Sequence, residues 1–178
     1  MRDLSIDLET LALGNNAHIV AIGAVLFDAE TGDIGASFYR TIVQGSDPRA
    51  DIDPEVVQWW GEQEPRVRSV LIDPLADPAE DVLLDFSIWV GESTFSDGFM
   101  VRPWGNGSIF DITIIESALK RHNTDIPWRF WNIRDVRTVT DLMNVRKNDV
   151  PFLGTPHHAL DDAMHQARLV IEAYKRRR

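Results

Sequence analysis

Cysteine is absent from the chain, which excludes disulfides, thiolate zinc sites and cysteine nucleophiles together. No apolar run approaches the ~18 residues that a membrane span needs, and no apolar segment of signal-peptide type follows the first residues, Met1-Arg2-Asp3-Leu4. Low-complexity segments and internal repeats are missing as well. With 178 residues and 44% apolar side chains, the chain reads as one domain, residues 1–178, with material for a real core. A cytosolic protein without a membrane association is the expectation.

Basic residues are scarce where the chain starts. Residues 1–118 carry 6 basic and 21 acidic side chains, whereas residues 119–178 carry 12 and 7, for a net charge of −10 overall. The sum argues against a polyanionic partner. The distribution does not, because a carboxylate cluster that holds two divalent cations offsets about four negative charges locally.

Alternation predicts a strand over 2–8, and a nearly continuous apolar run predicts a central strand over 18–27. After the turn at 28–33 a third strand is expected over 34–43, completing an antiparallel meander. Asp53-Pro54-Glu55 has the chemistry of an N-cap, a proline at N1 and an acidic first turn. Further helices are expected over about 78–90, 109–121, from 135 onward and over 158–175, with strands at 99–104 and near 128–131. Strands first and alternating elements later indicate an α/β domain with a mixed sheet.

Three segments carry chemistry. Asp7 and Glu9 stand two apart on a strand and therefore project from one face, where like charges repel unless a cation sits between them. Asp111 follows the two-glycine turn of Trp104-Gly105-Asn106-Gly107-Ser108. It is either a carboxylate delivered in a helix's first turn or the N3 partner of an N-cap at Ser108. His157 and His158 precede Asp161 and Asp162 at the start of the last helix; a histidine there can act as general base. Each segment alone has an ordinary structural explanation. No role is read for His18, His122 or His165. Arg134 and Arg137 are candidates for phosphate contacts or for pairing with Asp135.

Taken in order, Asp7-x-Glu9, Asn106 through Phe110-Asp111, and His157-x-Ala159-x-x-Asp162-Ala163 resemble the DEDDh (DnaQ-like) 3'→5' exonucleases. The strings Trp104–Asp111, Pro127–Trp131, Arg134–Thr138 and His157–Ala167 are similar to a compact phage and bacterial branch, described as exodeoxyribonuclease VIII-like or 3'→5' exoribonuclease. The likeness runs from Leu4 to about Ala173. It implies a ribonuclease H-like fold, with a five-stranded mixed sheet flanked by helices. By resemblance, Asp7, Glu9, Asp111 and Asp162 bind two cations, Mg2+ or Mn2+, and His157 deprotonates the attacking water. The substrate would be a single-stranded DNA or RNA 3' end; a short oligonucleotide or dinucleotide, or a non-catalytic adaptor role, are the alternatives. The spacing His-x-Ala-x-x-Asp selects His157 over His158 and Asp162 over Asp161.

Substrate contacts are expected from Thr10, Leu11, Trp60, Asn106 and Arg137, with Leu11 a candidate wedge against the terminal base. Of the adjacent Trp59 and Trp60, one should be core and the other half exposed. The chain departs from many relatives after Thr10, where Leu11 stands in place of glycine. Compact relatives commonly dimerise, which implies a homodimer, with the Trp-rich segment 128–131 as an apolar patch.

Overall fold

The computed structural model describes residues 1–93 and 101–177. Strands β1 (Asp3–Thr10), β2 (Ile19–Phe27) and β3 (Ile34–Thr41) form the expected antiparallel meander. Strand β4 (Arg102–Gly105) lies parallel to β1 on its other side, and a two-residue β5 (Arg134–Asp135) pairs with β4. The sheet order is β3-β2-β1-β4-β5, a mixed five-stranded sheet with β1 at its centre. Residues 99 and 100 of the expected fourth strand lie outside the described residues.

Helix α1 (Pro54–Glu62) begins as its sequence requires, with the Asp53 carboxylate accepting from Glu55 N–H and Pro54 at N1. A short helix α2 (Pro65–Arg68) and a 3-10 turn follow. Helices α3 (Ala79–Ser93) and α4 (Asp111–Arg121) cover one sheet face, where Val82, Leu83, Phe86, Ile112 and Ile115 meet Leu4, Ile6 and Leu8. Helices α5 (Val136–Leu142) and α6 (Ala159–Arg176) cover the other, where Ala163, Ala167 and Val170 meet Val25 and Phe27. Among the described residues no helix is long and apolar enough to cross a membrane.

The strand expected near 128–131 does not form. Residues Phe130–Asn132 are a 3-10 turn. Trp128 alone of that segment is buried, edge-on to Phe86 and donating through Nε1 to Glu116 at 2.9 Å.

Candidate active site

Strand β1 alternates strictly: Leu4, Ile6 and Leu8 face α3 and α4, while Asp3, Ser5, Asp7 and Glu9 face the side that carries α6. Asp3 is neutralised structurally, by Arg102 and by Trp104 Nε1 at 2.7 Å. Among the described residues neither Asp7 nor Glu9 has such a cation. In register, Asp7 stands opposite Gly23 of β2. A Cβ at Gly23 would come within 2.1 Å of the Ala159 carbonyl carbon, so only glycine lets the first turn of α6 rest backbone-to-sheet here. The small residue Ala159 thus approaches β2 next to β1. Asp162, one turn in, then reaches across to β1. Ligand oxygens of Asp7, Glu9 and Asp162 all lie within 4.8 Å of one another. Gln166, a further turn along, donates to Asp7 Oδ1 at 2.6 Å.

Asp111 arrives from the opposite edge. Strand β4 pairs with β1 only as far as Ser5 and Trp104; beyond that point Leu8 N–H has no strand partner and donates to Asp111 Oδ1 at 3.2 Å. Asp111 is the first residue of α4, behind Phe110 in the N-cap position, which makes no side-chain cap bond. The capping arrangement with Ser108 is therefore not formed. Ser108 N–H instead donates to Asp135 Oδ2 at 2.6 Å.

Crowding four carboxylates at one point raises their affinity for protons. The Asp7 carboxyl, half-buried among the others, is pushed well above the ordinary range by desolvation, then by the charges of Asp111, Glu9 and Asp162; the Gln166 amide opposes this. Burial, with Asp162 and Asp111, pushes Glu9 up to about 8. Burial pushes Asp111 to about 7, against N–H groups of Leu8 and Asn106 and the charge of Arg137. Asp162 is raised by burial too, opposed by the His157 backbone N–H and the nearby His157 and Lys147.

The neighbours that spacing had to separate are placed quite differently. His157 is exposed, has a positive φ of 60°, and sets its ring edge-on to Trp59 at 5.2 Å between centroids. His158 stacks on Tyr39 at 4.3 Å. Asp162 joins the cluster, whereas Asp161 accepts from Thr155 N–H at 2.9 Å and braces the loop that carries His157.

Beside Glu9 opens a largely apolar cleft of about 440 Å3, lined among others by Thr10, Leu13, Trp59, Trp60 and Phe110. Leu11 does not line it. It is buried at 1% exposure against Val20 and Trp60, so the wedge expected of it is not available, and Leu13, 71% exposed, stands there instead. Trp60 is the core member of its pair, donating through Nε1 to the Thr10 carbonyl, and offers the cleft only an edge. Trp59 is the half-exposed one. Sequence reasoning passed over Leu13, which belongs to no motif, and took Phe110 only as part of the motif that ends at Asp111. Asn106 and Arg137 lie on the other side of the cluster, joined by a long bond of 3.4 Å from Nε to Oδ1. Arg134 is turned back onto the carbonyls of Trp131 and Ile133.

Comparison with known proteins finds relatives of the sequence and of the fold. An exodeoxyribonuclease of Enterobacteria phage T4 is 23% identical over 185 residues, covering 90% of this chain and 80% of that protein. The nuclease domain of 3'hExo, a DEDDh family member solved bound to rAMP, superposes with a TM-score of 0.62 at 18% identity, over 96% of this chain and 90% of that one. E. coli Exonuclease I in complex with a dT13 oligonucleotide gives a TM-score of 0.66 at 12% identity, over 98% of this chain and 41% of that one. The family described as the 3'-5' exoribonuclease Rv2179c-like domain matches residues 2–174. The chain belongs to that family of 3'→5' exonucleases acting on nucleic acid, and its fold is that of the DEDDh nuclease domain it superposes on.

Proposed function

We propose that the chain hydrolyses single-stranded nucleic acid from the 3' end, one 5'-mononucleotide at a time, with Asp7, Glu9, Asp111 and Asp162 holding two divalent cations, Mg2+ or Mn2+. The observation that carries the reading is the convergence of Asp7, Glu9 and Asp162 oxygens within 4.8 Å, with Asp111 adding its field. Among the described residues no lysine or arginine forms an ion pair with any of the four. Such a cluster takes up protons or cations, and an all-oxygen donor set suits hard divalent ions. When bound, the cations would neutralise the scissile phosphate and make a water more acidic.

The chain's own residues do the rest. His157, exposed beside the cluster, accepts the proton of the attacking water as the bond from phosphorus to the 3'-oxygen breaks; that oxygen takes a proton from solvent. The His157 backbone N–H and ring lie near enough to the Asp162 carboxylate to favour its charge, which keeps the base beside the cluster it serves. Gln166 fixes the rotamer of Asp7. The cleft beside Glu9 takes the terminal nucleoside, its base against Trp59, Leu13 and Phe110.

RNA and DNA are both open as substrates, since the family is described by its exoribonuclease and the phage relative by its exodeoxyribonuclease. End-labelled RNA, single-stranded DNA and a dinucleotide, digested side by side with Mg2+ and with Mn2+, test the proposal. Release of 5'-mononucleotides that stops on chelation is expected. Unchanged activity in excess EDTA would overturn it.

A further inference from the structure

A second depression lies beyond the carboxylate cluster, away from the apolar cleft. It has a volume of about 210 Å3, and Asn106, Arg137, Lys147, Asp162, His165 and Gln166 line it. Core packing explains little of what is found there. His165 is 3% exposed, yet among the described residues neither ring nitrogen has a hydrogen-bond partner. The Gln166 Oε1 is likewise buried and unpartnered, while its Nε2 is committed to Asp7. A buried polar group left unmatched is costly, and native structures keep few without a reason.

The cations at the mouth are also uncommitted. Among the described residues neither Arg137 nor Lys147 has a carboxylate within ion-pair distance. This is notable in a chain of net charge −10, where acidic partners are plentiful. Arg137 is not loose. Its guanidinium lies over the turn at Gly107, where a Cβ would sit 3.3 Å from Nη1, and Gly107 has a φ of +96°. Glycine there leaves room for the arginine to lie flat across the turn.

We infer that this depression is a phosphate subsite, which takes the nucleic-acid phosphate next to the scissile one on its 5' side. The inference rests on the exonuclease reading of the adjacent cluster. Asp162 belongs to both the cluster and the depression, and Glu9 to both the cluster and the apolar cleft. A strand whose terminal nucleoside fills the cleft therefore crosses the cluster and presents its next phosphate here. Arg137 offers a planar pair of donors, Lys147 a point charge, and the His165 ring an N–H in any protonation state. The Asp162 carboxylate is the one repulsive element, and its charge is directed to the cluster. Two sources share this chemistry: a backbone phosphate of a longer strand, or the terminal 5'-phosphate of a dinucleotide.

The test compares KM and kcat for a 5'-phosphorylated dinucleotide, the same dinucleotide with a 5'-hydroxyl, and a decanucleotide. Wild-type protein is set against Arg137→Gln, Lys147→Gln and, as a distant charge control, Lys120→Gln. Losing a charge-assisted contact should raise KM about tenfold for substrates that carry the extra phosphate, with kcat little changed. The tenfold rise is read relative to the 5'-hydroxyl dinucleotide, which reports any effect that Arg137 and Lys147 have on the carboxylates of the cluster, and the Lys120→Gln protein should show no effect. A response of the phosphorylated dinucleotide alone assigns the subsite to end phosphates; a response of the decanucleotide alone assigns it to backbone phosphates. Equal KM increases with the 5'-hydroxyl dinucleotide, or no increase with any substrate, would overturn the subsite while leaving the exonuclease reading intact. A wild-type protein that turns over none of the three would overturn both.

Discussion

Replacing Asp7 by asparagine removes one charge from the middle of the cluster while preserving its volume and its acceptor for Gln166. The cost of charge at this point can be scaled from its neighbour. Glu9 is displaced from 4.5 to about 8, which at ~1.4 kcal/mol per unit is on the order of 5 kcal/mol against ionising it in the metal-free fold. Burial is the largest cause and survives the substitution, so only the repulsive part is relieved. We expect about 1–2 kcal/mol of stabilisation at alkaline pH without metal, or a Tm rise of roughly 3–6 °C for a domain of this size. The assay is a melting curve in EDTA beside a turnover measurement in Mg2+. Asp7→Asn should melt higher in EDTA, respond less to added Mg2+, and show background turnover. A Tm that falls by more than about 4 °C in EDTA would mean that Asp7 is a structural acceptor. Turnover that survives would remove Asp7 from the chemistry.

The remaining expectations concern neighbours and pH. His157→Ala should lower kcat about 10²–10⁴-fold, whereas His158→Ala, whose ring is engaged with Tyr39, should stay near wild type; equal losses would contradict the assignment. Asp162→Asn should abolish turnover or raise the metal concentration required. Asp161→Asn keeps an acceptor for Thr155 N–H and should change the rate little; a larger loss at Asp161 would reverse the two roles. Without metal, the raised carboxyls contribute stability below their unfolded values near 4–4.5 that is lost as pH rises through about 7 for Asp111 and about 8 for Glu9. The Tm in EDTA should therefore fall across that window and recover with Mg2+, and a flat profile would refute the coupling. Phe130 and Trp131 remain 76% and 59% exposed, so light scattering should report twice the chain's 20.2 kDa; a monomer at all concentrations would rule the homodimer out.

The sheet and the pairing of Asp7 with Glu9 were legible because they depend on short-range periodicity. A period of two puts Asp7 and Glu9 on one face, whereas Asp111, and the choice of Asp162 over its neighbour, came from the family resemblance and not from periodicity. Periodicity failed where the chain breaks it. Simple alternation places Leu11 on the face of Glu9, but the register shifts between Glu9 and Thr10, and the bulge turns Leu11 into the core. The aromatic run at 128–131 has strand-like composition, yet that preference reflects packing on a covered surface, and only Trp128 is covered. His165 carried no signal at all, since a lone histidine inside a helix gains meaning only from what surrounds it in space.

On the proposed site, the seat of Ala159 on Gly23 would also set when the protein becomes dangerous to nucleic acid. Asp7 and Glu9 are made early in the chain, on β1, Asp111 follows on α4, and Asp162 comes late, on α6; the bond from Gln166 to Asp7 joins residues 159 positions apart. Local secondary structure cannot bring them together. During synthesis the sheet can form while α6 is still inside the ribosome, and a chain at that stage holds Asp7 and Glu9 but lacks Asp162 and the histidine beside it. Docking of α6 onto Gly23 supplies them in one step. The same dependence works in reverse: on the proposed site, loss of the last helix would remove Asp162 and Gln166 and uncover the sheet face on which Ala163, Ala167 and Val170 pack. A nuclease built as proposed would be inert until that helix is seated.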